Sequence, residues 1–389
     1  QRLPRLIGAR AAMPLLVQGC NLDAEAALKA GILDDVVPAD ELMSAARAWL
    51  ESEPEATNPW DRKGYRIPGG AVWGPGAMET FVAGSAMAHD KSRGNFPAVQ
   101  AIMSSVYEGL LVDIDTGLKA EARWFTKLVC GPVAKNMIRS LFFAMGNANK
   151  LRNRPQDVER QSYSKVGILG AGMMGAGIAH TSAVAGLEVV LLDTDLDLVA
   201  RGKSYSQGLL DKRVEGGRMS ADARDAVLAR IHPATDFADL AGCDLVVEAV
   251  FENRAIKADV TAKTEAVIAE DAIFASNTST LPITGLAEAS TRPANFIGLH
   301  FFSPVDRMPL VEIIRGEATS DATLARAMDY VQRIRKTPIV VNDSRGFYTS
   351  RVFGTYAREG MAMLAEGISP TLIENAGRMA GMPVGPLAV

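Results

Sequence analysis

The chain contains few cysteines and few aromatic residues, and it has no long apolar run. Its three cysteines, Cys20, Cys130 and Cys243, are far apart in the sequence and lack the spacing of metal ligands. This scarcity argues against a disulfide scaffold and a structural metal site, and it favours free thiols that are buried as small apolar side chains. Free thiols are typical of a reducing compartment, so we expect a cytoplasmic protein without a metal.

Neither a transmembrane segment nor a nucleic-acid-binding surface is predicted. No stretch of about eighteen apolar residues occurs, and the chain does not begin with the pattern of a secretory signal. The net charge of −4 creates no general attraction for nucleic acid, and basic residues such as Lys212 and Arg213 are interpreted as a solvated helix face. With 389 residues, 48% of them hydrophobic, the sequence is typical of a globular protein with two or three domains.

A short segment combines an apolar strand with regularly spaced glycines. The strand is predicted at Val166–Leu169, and Gly170-Ala-Gly172-Met-Met-Gly175 follows it. Gly170 permits a tight turn, Gly172 lets the backbone approach a pyrophosphate, and Gly175 lets the next helix pack on the strand. The N-terminus of that helix faces the anion, so the segment predicts a dinucleotide-binding turn. The expected cofactor-binding residues of this turn are Gly170, Gly172, Met173, Met174 and Gly175.

An acidic residue ends the second apolar run of the same unit. The run is Glu188–Leu192, and Asp193 follows it at the position where a carboxylate would bond the ribose hydroxyl groups of adenosine. Thr194 and Asp195 come next, and no arginine is present beside Asp193 to accept a 2′-phosphate. The sequence therefore predicts NAD as the cofactor in preference to NADP.

Apolar runs alternate with helical patterns through the following part of the chain. Further strands are predicted at Asp244–Val250, Ala272–Ser276, Phe296–His300 and Thr337–Val341. Helices are predicted at about Ala176–Ala185, Leu196–Val214, Ala221–Arg230, Ile256–Ala269 and Asp321–Ile334. Strands that are apolar almost throughout indicate a parallel sheet covered on both faces. The predicted fold class is therefore α/β, with a Rossmann-type doubly wound sheet.

Several polar residues are expected at the edge where ligands bind in such sheets. Glu252, Asn277 and Ser279 follow apolar strands and His300 ends one, while Glu312 lies in the apolar run Leu310–Ile314. Oxidation of a carbinol needs a base for the hydroxyl proton while hydride leaves the same carbon, and imidazole, with a pKa of about 6.5, suits this task near neutral pH. The loop between His300 and Glu312 can bring them together, and the carboxylate would then orient the ring and stabilise the imidazolium.

The first part of the chain is predicted to be helical. Helices are expected at Arg10–Gln18, at residues 21–31 with Asp23 as N-cap and Gly31 as the C-terminal stop, and at Glu41–Trp49. The segments Leu3-Pro-Arg-Leu-Ile-Gly8, Ala24–Ala27, Gly31-Ile32 and Val36-Val-Pro38 resemble the last part of the enoyl-CoA hydratase/isomerase (crotonase) family. This resemblance implies that the catalytic carboxylates and oxyanion-hole glycines of that family lie upstream of the matching part.

Motifs in the second half resemble the L-3-hydroxyacyl-CoA dehydrogenase family. They are Ile168–Gly175, Asn277-Thr-Ser279, Gly298-Leu-His-Phe-Phe-Ser-Pro304, Met308-Pro-Leu-Val-Glu-Ile-Ile314 and Val341-Asn-Asp-Ser-Arg-Gly-Phe347. With the crotonase-like segment ahead of them, the whole chain resembles the α-subunits of multifunctional fatty-acid oxidation enzymes, cut at both ends. Gln1 is not an initiating residue and no ending signal precedes Val389.

The resemblance implies roles for the matching residues. His300 is expected to be the general base, Glu312 its orienting carboxylate, and Ser279 a hydroxyl that bonds substrate near the thioester or the 3-oxygen. Glu252 and Asn277 are expected to contact the nicotinamide side of NAD. The implied reaction is the NAD-dependent oxidation of an L-3-hydroxyacyl-CoA, the third step of β-oxidation. An acyl-CoA substrate, a thiolase subunit and a second copy of the chain are the implied partners.

Two positions depart from the usual pattern of the family. Ser303 stands where the family has asparagine, and Thr349-Ser350-Arg351 stands where it has Val-Asn-Arg. Ser350 therefore offers a shorter hydroxyl in place of an active-site amide. In a protein limited to these residues, we expect no hydratase activity and weak dehydrogenase activity, because the first catalytic residues and most of the last helical domain would be missing.

Four domains are expected along the chain. They are the C-terminal part of a crotonase-like domain at 1–57, a helical connecting region at 58–162, an NAD-binding Rossmann domain at 163–342, and the start of an all-α dehydrogenase C-terminal domain at 343–389. Residues 51–75 are interpreted as a loop that spans the boundary at 57. In the connecting region, helices are expected at Pro97–Tyr107, Asp113–Val129 and Pro132–Ala148. Gly360 and Gly367 are expected near helix ends.

Two alternatives remain open at this point. A catalytically silent NAD-binding protein can use the same scaffold, although the presence of both His300 and Glu312 argues against it. A β-hydroxyacid dehydrogenase that uses a catalytic lysine would need a lysine near the site. Lys257 and Lys263 lie on a predicted helix after Glu252, without a matching motif.

Overall fold

A computed structural model describes residues 1–52, 57–74, 76 and 79–389. The predicted loop at 51–75 falls partly on residues 53–56 and 75, which lie outside the described residues. The chain forms two compact units, one made of Gln1–Arg139 with Glu359–Val389 and the other of Ser140–Arg358. The two units are defined by how the chain packs and do not test the expected domain boundaries at 57, 162 and 342, which stay predictions.

A single eight-stranded sheet occupies the unit Ser140–Arg358. Its strands are β1 Lys165–Leu169, β2 Glu188–Leu192, β3 Ile231–Ala234, β4 Leu245–Glu248, β5 Ile273–Ser276, β6 Phe296–Phe301, β7 Leu310–Arg315 and β8 Thr337–Asn342. The order across the sheet is β3-β2-β1-β4-β5-β6-β7-β8. Strands β1 to β6 run parallel, whereas β7 is antiparallel to β6 and parallel to β8. The α/β doubly wound fold is confirmed, but the expectation of a wholly parallel sheet is wrong for β7 and β8.

The two unexpected strands have physical explanations. A parallel crossover needs a dozen or more residues, usually with a helix, and the loop between Phe301 and Leu310 is too short for one, so β7 must return antiparallel to β6. Strand β3 interrupts its apolar pattern with His232 and Pro233, and it lies at the sheet edge, where proline does not remove a central hydrogen bond.

Helices complete both units. Those of residues 1–149 are α1 Arg2–Ile7, α2 Ala9–Gln18, α3 Ala24–Lys29, α4 Leu42–Glu51, α5 Gly84–Ser92, α6 Pro97–Leu110, α7 Ile114–Val129, α8 Pro132–Met137 and α9 Met145–Asn149. The later ones are α10 Met173–Val184, α11 Leu196–Glu215, α12 Ala221–Ala229, α13 Arg254–Glu265, α14 Ile283–Ala287, α15 Asp321–Arg333, α16 Thr349–Ala365 and α17 Pro370–Met379. Short 3-10 turns lie at Pro59–Asp61, Phe237–Leu240 and Pro293–Asn295, and π-helical turns lie at Glu79–Ala83 and Ile138–Ala144.

Several predicted helical features differ from those observed. The helix expected at Pro132–Ala148 is broken by the π-helical turn Ile138–Ala144. Helix α10 begins at Met173 rather than near Ala176, because Gly172 already acts as its N-cap. Gly360 lies inside α16 rather than near its end. Its lack of a side chain has a packing reason, because a Cβ at this position would press on Pro386.

Two apolar layers cover the two faces of the sheet. One contains Val166 and Ile168 of β1 with Ile178 of α10, and the other contains Leu169 of β1 with Phe274 of β5. Successive side chains of a strand point to opposite faces, so an apolar strand such as β1 supplies both layers. The buried strands therefore fix the carboxyl edge of the sheet as a rigid platform.

The unit containing the N-terminus has its own small core. Met13 of α2 packs there with Met103, Val106 and Leu110 of α6. The buried Arg5 ties α1 to the end of α6, because its Nη2 donates to the carbonyl oxygen of Gly109 at 2.6 Å. The crotonase-like segment thus packs against the helices that follow it.

Cysteine burial differs from the expectation at two of three positions. All three cysteines are free, but only Cys243 is buried, whereas Cys20 and Cys130 are exposed. Cys20 lies beyond the end of α2 and Cys130 caps the end of α7, and such helix ends face solvent. Within the described ranges, no helix has the length and apolarity needed to cross a bilayer, and no group of three metal-ligating side chains forms a metal site.

Candidate active site

The glycine turn lies at the carboxyl end of β1, where the sheet order reverses between β1 and β4. Gly170 has a φ of 92°, and a Cβ there would lie 2.7 Å from the carbonyl oxygen of Ala249. A Cβ at Gly175 would overlap the carbonyl oxygen of Gly170, whereas one at Gly172 would meet no atom within 4 Å. The turn is therefore tightly packed on its protein side and open at Gly172, which leaves room for a ligand.

The start of α10 offers backbone donors to that open space. Gly172 is the N-cap of the helix and has no side chain to satisfy the first amide groups. These amides belong to Met173, Met174 and Gly175, and together with the helix dipole they favour an anion such as a pyrophosphate. The Met173 side chain is exposed, and its sulfur accepts a hydrogen bond from the Ser303 hydroxyl at 3.5 Å.

Asp193 is held rigidly at the end of β2. Its Oδ2 accepts a hydrogen bond from the Ala171 N–H at 2.7 Å, and its Oδ1 accepts one from the Thr194 N–H at 2.7 Å. The carboxylate therefore lies directly beside the glycine turn, as required for contact with the adenosine ribose of a dinucleotide. The neighbouring carboxylate of Asp195 caps α11 through the Asp197 N–H at 2.6 Å. These residues fit NAD.

His300 and Glu312 meet because of the antiparallel strand that the sequence did not predict. The two residues are directly opposite each other in the register of β6 and β7, and such pairs have neighbouring side chains. The distance from His300 Nδ1 to Glu312 Oε2 is 2.7 Å. Both side chains are buried, with 5% of His300 and 0% of Glu312 exposed. The loop between them thus places them side by side, as the sequence suggested.

Glu312 is surrounded by donors. Its Oε1 accepts hydrogen bonds from the Tyr348 N–H at 3.2 Å and the Thr349 N–H at 2.8 Å, while Oε2 accepts one from the Thr349 hydroxyl at 2.8 Å. Burial alone raises the pKa of Glu312, but the hydrogen bonds from His300 and Thr349 outweigh it and hold the pKa below its usual range. Glu312 is therefore a carboxylate at neutral pH.

Aromatic rings flank the imidazole of His300. The ring centroid of Phe302 lies 4.5 Å from that of His300, and the centroid of Phe347 lies 5.9 Å away. These contacts, with the Glu312 bond at Nδ1, fix the ring in one orientation. The remaining ring nitrogen, Nε2, is then the one that can accept a proton.

Glu252 and Asn277 organise the loops beside the dyad. Glu252 Oε1 accepts hydrogen bonds from the Thr278 hydroxyl at 2.6 Å and the Ser279 N–H at 3.1 Å. Burial raises the pKa of Glu252, but these hydrogen bonds and the charge of Lys257 lower it overall. Asn277 Oδ1 accepts from the Phe301 N–H at 3.1 Å, one residue beyond His300. Ser279 is exposed on the loop that Glu252 holds.

A buried ionic cluster that the sequence did not predict lies beneath these loops. Lys257 Nζ lies 2.8 Å from Glu248 Oε1, with only 2% of Lys257 and 0% of Glu248 exposed. The Ser276 hydroxyl donates to the same oxygen of Glu248. Burial raises the pKa of Glu248, an effect that Lys257 and Ser276 oppose. Glu248 is visible within an apolar strand, but no local signal distinguishes Lys257 from the solvated lysines of a helix.

His180 of α10 is a second buried histidine of the nucleotide-binding sheet unit. Its Nδ1 has no hydrogen-bond partner within the described part of the chain. Burial lowers the pKa of His180 to about 4, so the ring is neutral at physiological pH.

Fold and site together define a dehydrogenase that uses a nicotinamide dinucleotide. The glycine turn and the carboxylate of Asp193 lie where the sheet order reverses. His300 and Glu312 form a buried pair across two neighbouring strands of the same sheet. The chain belongs to the 3-hydroxyacyl-CoA dehydrogenase family, whose NAD-binding domain matches residues 165–344 and whose C-terminal domain matches residues 346–389. Residues 1–57 match the enoyl-CoA hydratase/isomerase family. The expected family, fold class and NAD cofactor are confirmed.

Solved structures of similar proteins support this assignment. The (S)-3-hydroxybutyryl-CoA dehydrogenase PaaH1 of Ralstonia eutropha is 39% identical, with 58% of this chain and 81% of that one covered and a TM-score of 0.57. FadB2 of M. tuberculosis is 34% identical, with 58% and 81% covered and a TM-score of 0.56. The 3-hydroxybutyryl-CoA dehydrogenase of Escherichia coli K12 is 33% identical, with 58% and 48% covered and a TM-score of 0.57.

Proposed function

We propose that the chain oxidises L-3-hydroxyacyl-CoA to 3-ketoacyl-CoA with NAD, as a step of fatty-acid β-oxidation. The observation that carries the proposal is the 2.7 Å contact between His300 and the fully buried Glu312, on a sheet that also bears the glycine turn. A base beside a nicotinamide site is what the oxidation of a secondary alcohol requires. The similar solved proteins that are named as 3-hydroxybutyryl-CoA dehydrogenases support the substrate class.

The oxidation removes one proton and one hydride from the substrate. His300 Nε2 accepts the proton of the 3-hydroxyl group, and the C–O bond gains double-bond character as the hydride leaves carbon 3. Bound NAD supplies the acceptor for that hydride. Glu312 bonds Nδ1–H throughout, which selects the tautomer with Nε2 free and stabilises the imidazolium that forms. The aromatic rings of Phe302 and Phe347 limit water around the imidazole.

The remaining site residues act by holding the two ligands. Met173, Met174 and Gly175 present amides to the pyrophosphate, and Asp193 bonds the adenosine ribose. Glu252 and Asn277 contact the nicotinamide side of NAD. Ser279 and Ser350 supply hydroxyl groups to the acyl-CoA, Ser350 from the first turn of α16.

Exchange of the ribose-side residues should change the cofactor preference. Asp193→Ser combined with Thr194→Arg removes a carboxylate that would repel a 2′-phosphate and adds a guanidinium that can bind it. We expect the ratio of kcat/KM for NAD to that for NADP to fall by about tenfold or more, equivalent to at least ~1.4 kcal/mol. Steady-state rates with both cofactors measure this ratio, and an unchanged ratio would count against the role of Asp193.

The wider context of the reaction is also part of the proposal. The hydratase-like residues 1–57 suggest a longer protein that also hydrates 2-enoyl-CoA, whose product is the L-3-hydroxyacyl-CoA used here. A thiolase subunit that cleaves the 3-ketoacyl-CoA and a second copy of the chain are the proposed protein partners. The cytoplasm is the proposed location, which suits three free cysteines.

A comparison of substrates tests this function. We expect NADH to form from NAD and L-3-hydroxybutyryl-CoA, but neither from the D-isomer nor from free L-3-hydroxybutyrate, because the acyl-CoA supplies the binding energy that positions carbon 3. The formation of NADH is followed by its absorbance. Equal rates with the free acid would show that the substrate is a simple hydroxy acid rather than a thioester.

A further inference from the structure

One oxygen of Glu312 serves two donors at once. Its Oε2 accepts from His300 Nδ1 at 2.7 Å and from the Thr349 hydroxyl at 2.8 Å. The other oxygen, Oε1, accepts from the Thr349 N–H at 2.8 Å. Thr349 therefore contacts both oxygens of the carboxylate, and Oε2 is shared between the imidazole and a hydroxyl group.

The position of Thr349 at the start of α16 explains this geometry. The first amides of a helix have no intrahelical partner, and those of Tyr348 and Thr349 point at Glu312. Gly346 and Phe347, with φ of 75° and 48°, turn the chain so that the helix begins against β7. Glu312 thus acts as the N-terminal acceptor of α16, where the helix dipole favours its charge. The hydroxyl is an addition to this backbone arrangement, because valine would preserve the two amides.

We infer that Thr349 is a positioning residue that sets the basicity of His300 by sharing Oε2 of Glu312. This inference rests on the proposed role of His300 as the base. A hydroxyl that donates to Oε2 withdraws negative charge from the oxygen that holds the imidazolium, so the imidazolium is stabilised less. Removal of the hydroxyl should therefore leave more negative charge on Oε2 and make the imidazole a stronger base. The same bond prevents the carboxylate from rotating.

The other charged groups near the dyad are engaged elsewhere. Asp343, which precedes the turn into α16, accepts from the Ile283 and Thr284 N–H groups at 2.8 Å each. Arg351 of α16 donates to the Ser344 hydroxyl at 3.2 Å. On the β4 and β5 side, Glu248 and Lys257 pair with each other at 2.8 Å. Of the described residues, Glu312 is the charged group in direct contact with His300, so a change at its Oε2 acts on the imidazole without competition.

Thr349→Val tests the inference, since it removes only the hydroxyl and keeps the shape and the backbone N–H. We expect the acid-limb pKa of the kcat/KM profile to rise by about half a unit, which lowers kcat/KM about threefold at low pH and leaves it nearly unchanged above the limb. Thr349→Ser keeps the donor and should restore the original profile. Thr355→Val is a matched control on the same helix, because the Thr355 hydroxyl donates to the Val352 carbonyl at 2.6 Å and does not touch Glu312.

A direct titration of His300 by NMR separates this inference from the proposed function. A rise of the His300 pKa in Thr349→Val, with no rise in Thr349→Ser or Thr355→Val, supports the inference whatever the activity. Overlapping titration curves for wild type and Thr349→Val would overturn it even if His300 is the base. Full activity of His300→Gln would instead overturn the proposed function. Thr349→Ala provides a second variant without the donor, and it should shift the titration in the same direction.

Discussion

His300→Gln should lower kcat by about 10²–10⁴-fold, the usual contribution of a positioned general base. Glutamine retains a group that can donate to Glu312 Oε2, which His300 Nδ1 contacts at 2.7 Å, so the fold and the buried carboxylate remain satisfied. It cannot accept the hydroxyl proton with comparable basicity. NAD binding should change little, because His300 is not part of the glycine turn. Fluorescence titration with NADH and stopped-flow turnover measure the two effects separately.

His232→Gln is the matched control for this variant. His232 is exposed at the edge of the sheet and lies 2.6 Å from Glu188, so it also forms a histidine–glutamate pair. It belongs to β3, which is separated from β6 by four strands. We expect kcat to stay within about twofold of wild type, as for surface substitutions in general. A similar loss of kcat in both variants would mean that the effect of His300→Gln is structural rather than catalytic.

Gly175→Ala should be the most damaging single change in the nucleotide domain. The new Cβ would overlap the carbonyl oxygen of Gly170 and lie 3.5 Å from the Ile168 side chain. Because both are part of the buried strand and turn, α10 must move away from β1, at a cost of about 3 kcal/mol or more in the free energy of unfolding. The displaced amides of Met173 and Met174 should also bind NAD far more weakly. Chemical denaturation and NADH titration report these two losses.

Gly208→Ala is the matched control for Gly175→Ala, and we expect it to have the opposite effect on stability. Gly208 lies inside α11, and a Cβ there would meet no atom within 4 Å. Alanine in an exposed helix interior stabilises by about 0.5–1 kcal/mol relative to glycine. We therefore expect a small gain in the free energy of unfolding and unchanged NAD binding. If both glycine variants behaved alike, the close packing at Gly175 would not be the cause.

The parts of the fold that depend on local pattern were predictable. The spacing of Gly170, Gly172 and Gly175 requires a particular backbone conformation and close packing, which are local properties. The strands β1 and β2 were predicted within one residue of their observed bounds because they are apolar, short and bounded by turn residues. The carboxylate of Asp193 was placed correctly beside the turn for the same reason.

Contacts between distant parts of the chain were harder to predict from the sequence. The pairing of His300 with Glu312 was predicted, but the antiparallel direction of β7 that produces it was not, because it depends on the length of the loop before β7. Thr349 was noted only as a departure from a family pattern, since its contact with Glu312 arises from the packing of α16 on β7. Lys257 gave no signal because its partner Glu248 belongs to another element and charged residues on a helix usually face solvent.

The transfer of a labelled hydride from carbon 3 to NAD shows whether the chain is an NAD-dependent 3-hydroxyacyl-CoA dehydrogenase. The protein, in molar excess over substrate, is mixed with NAD and L-3-hydroxybutyryl-CoA that carries deuterium on carbon 3, and the products are analysed by mass spectrometry. Excess protein makes even a slow single turnover visible. We expect equimolar 3-ketobutyryl-CoA and deuterated NADH, with no deuterium in water. Absence of reduced cofactor, or release of the label into water, would contradict it.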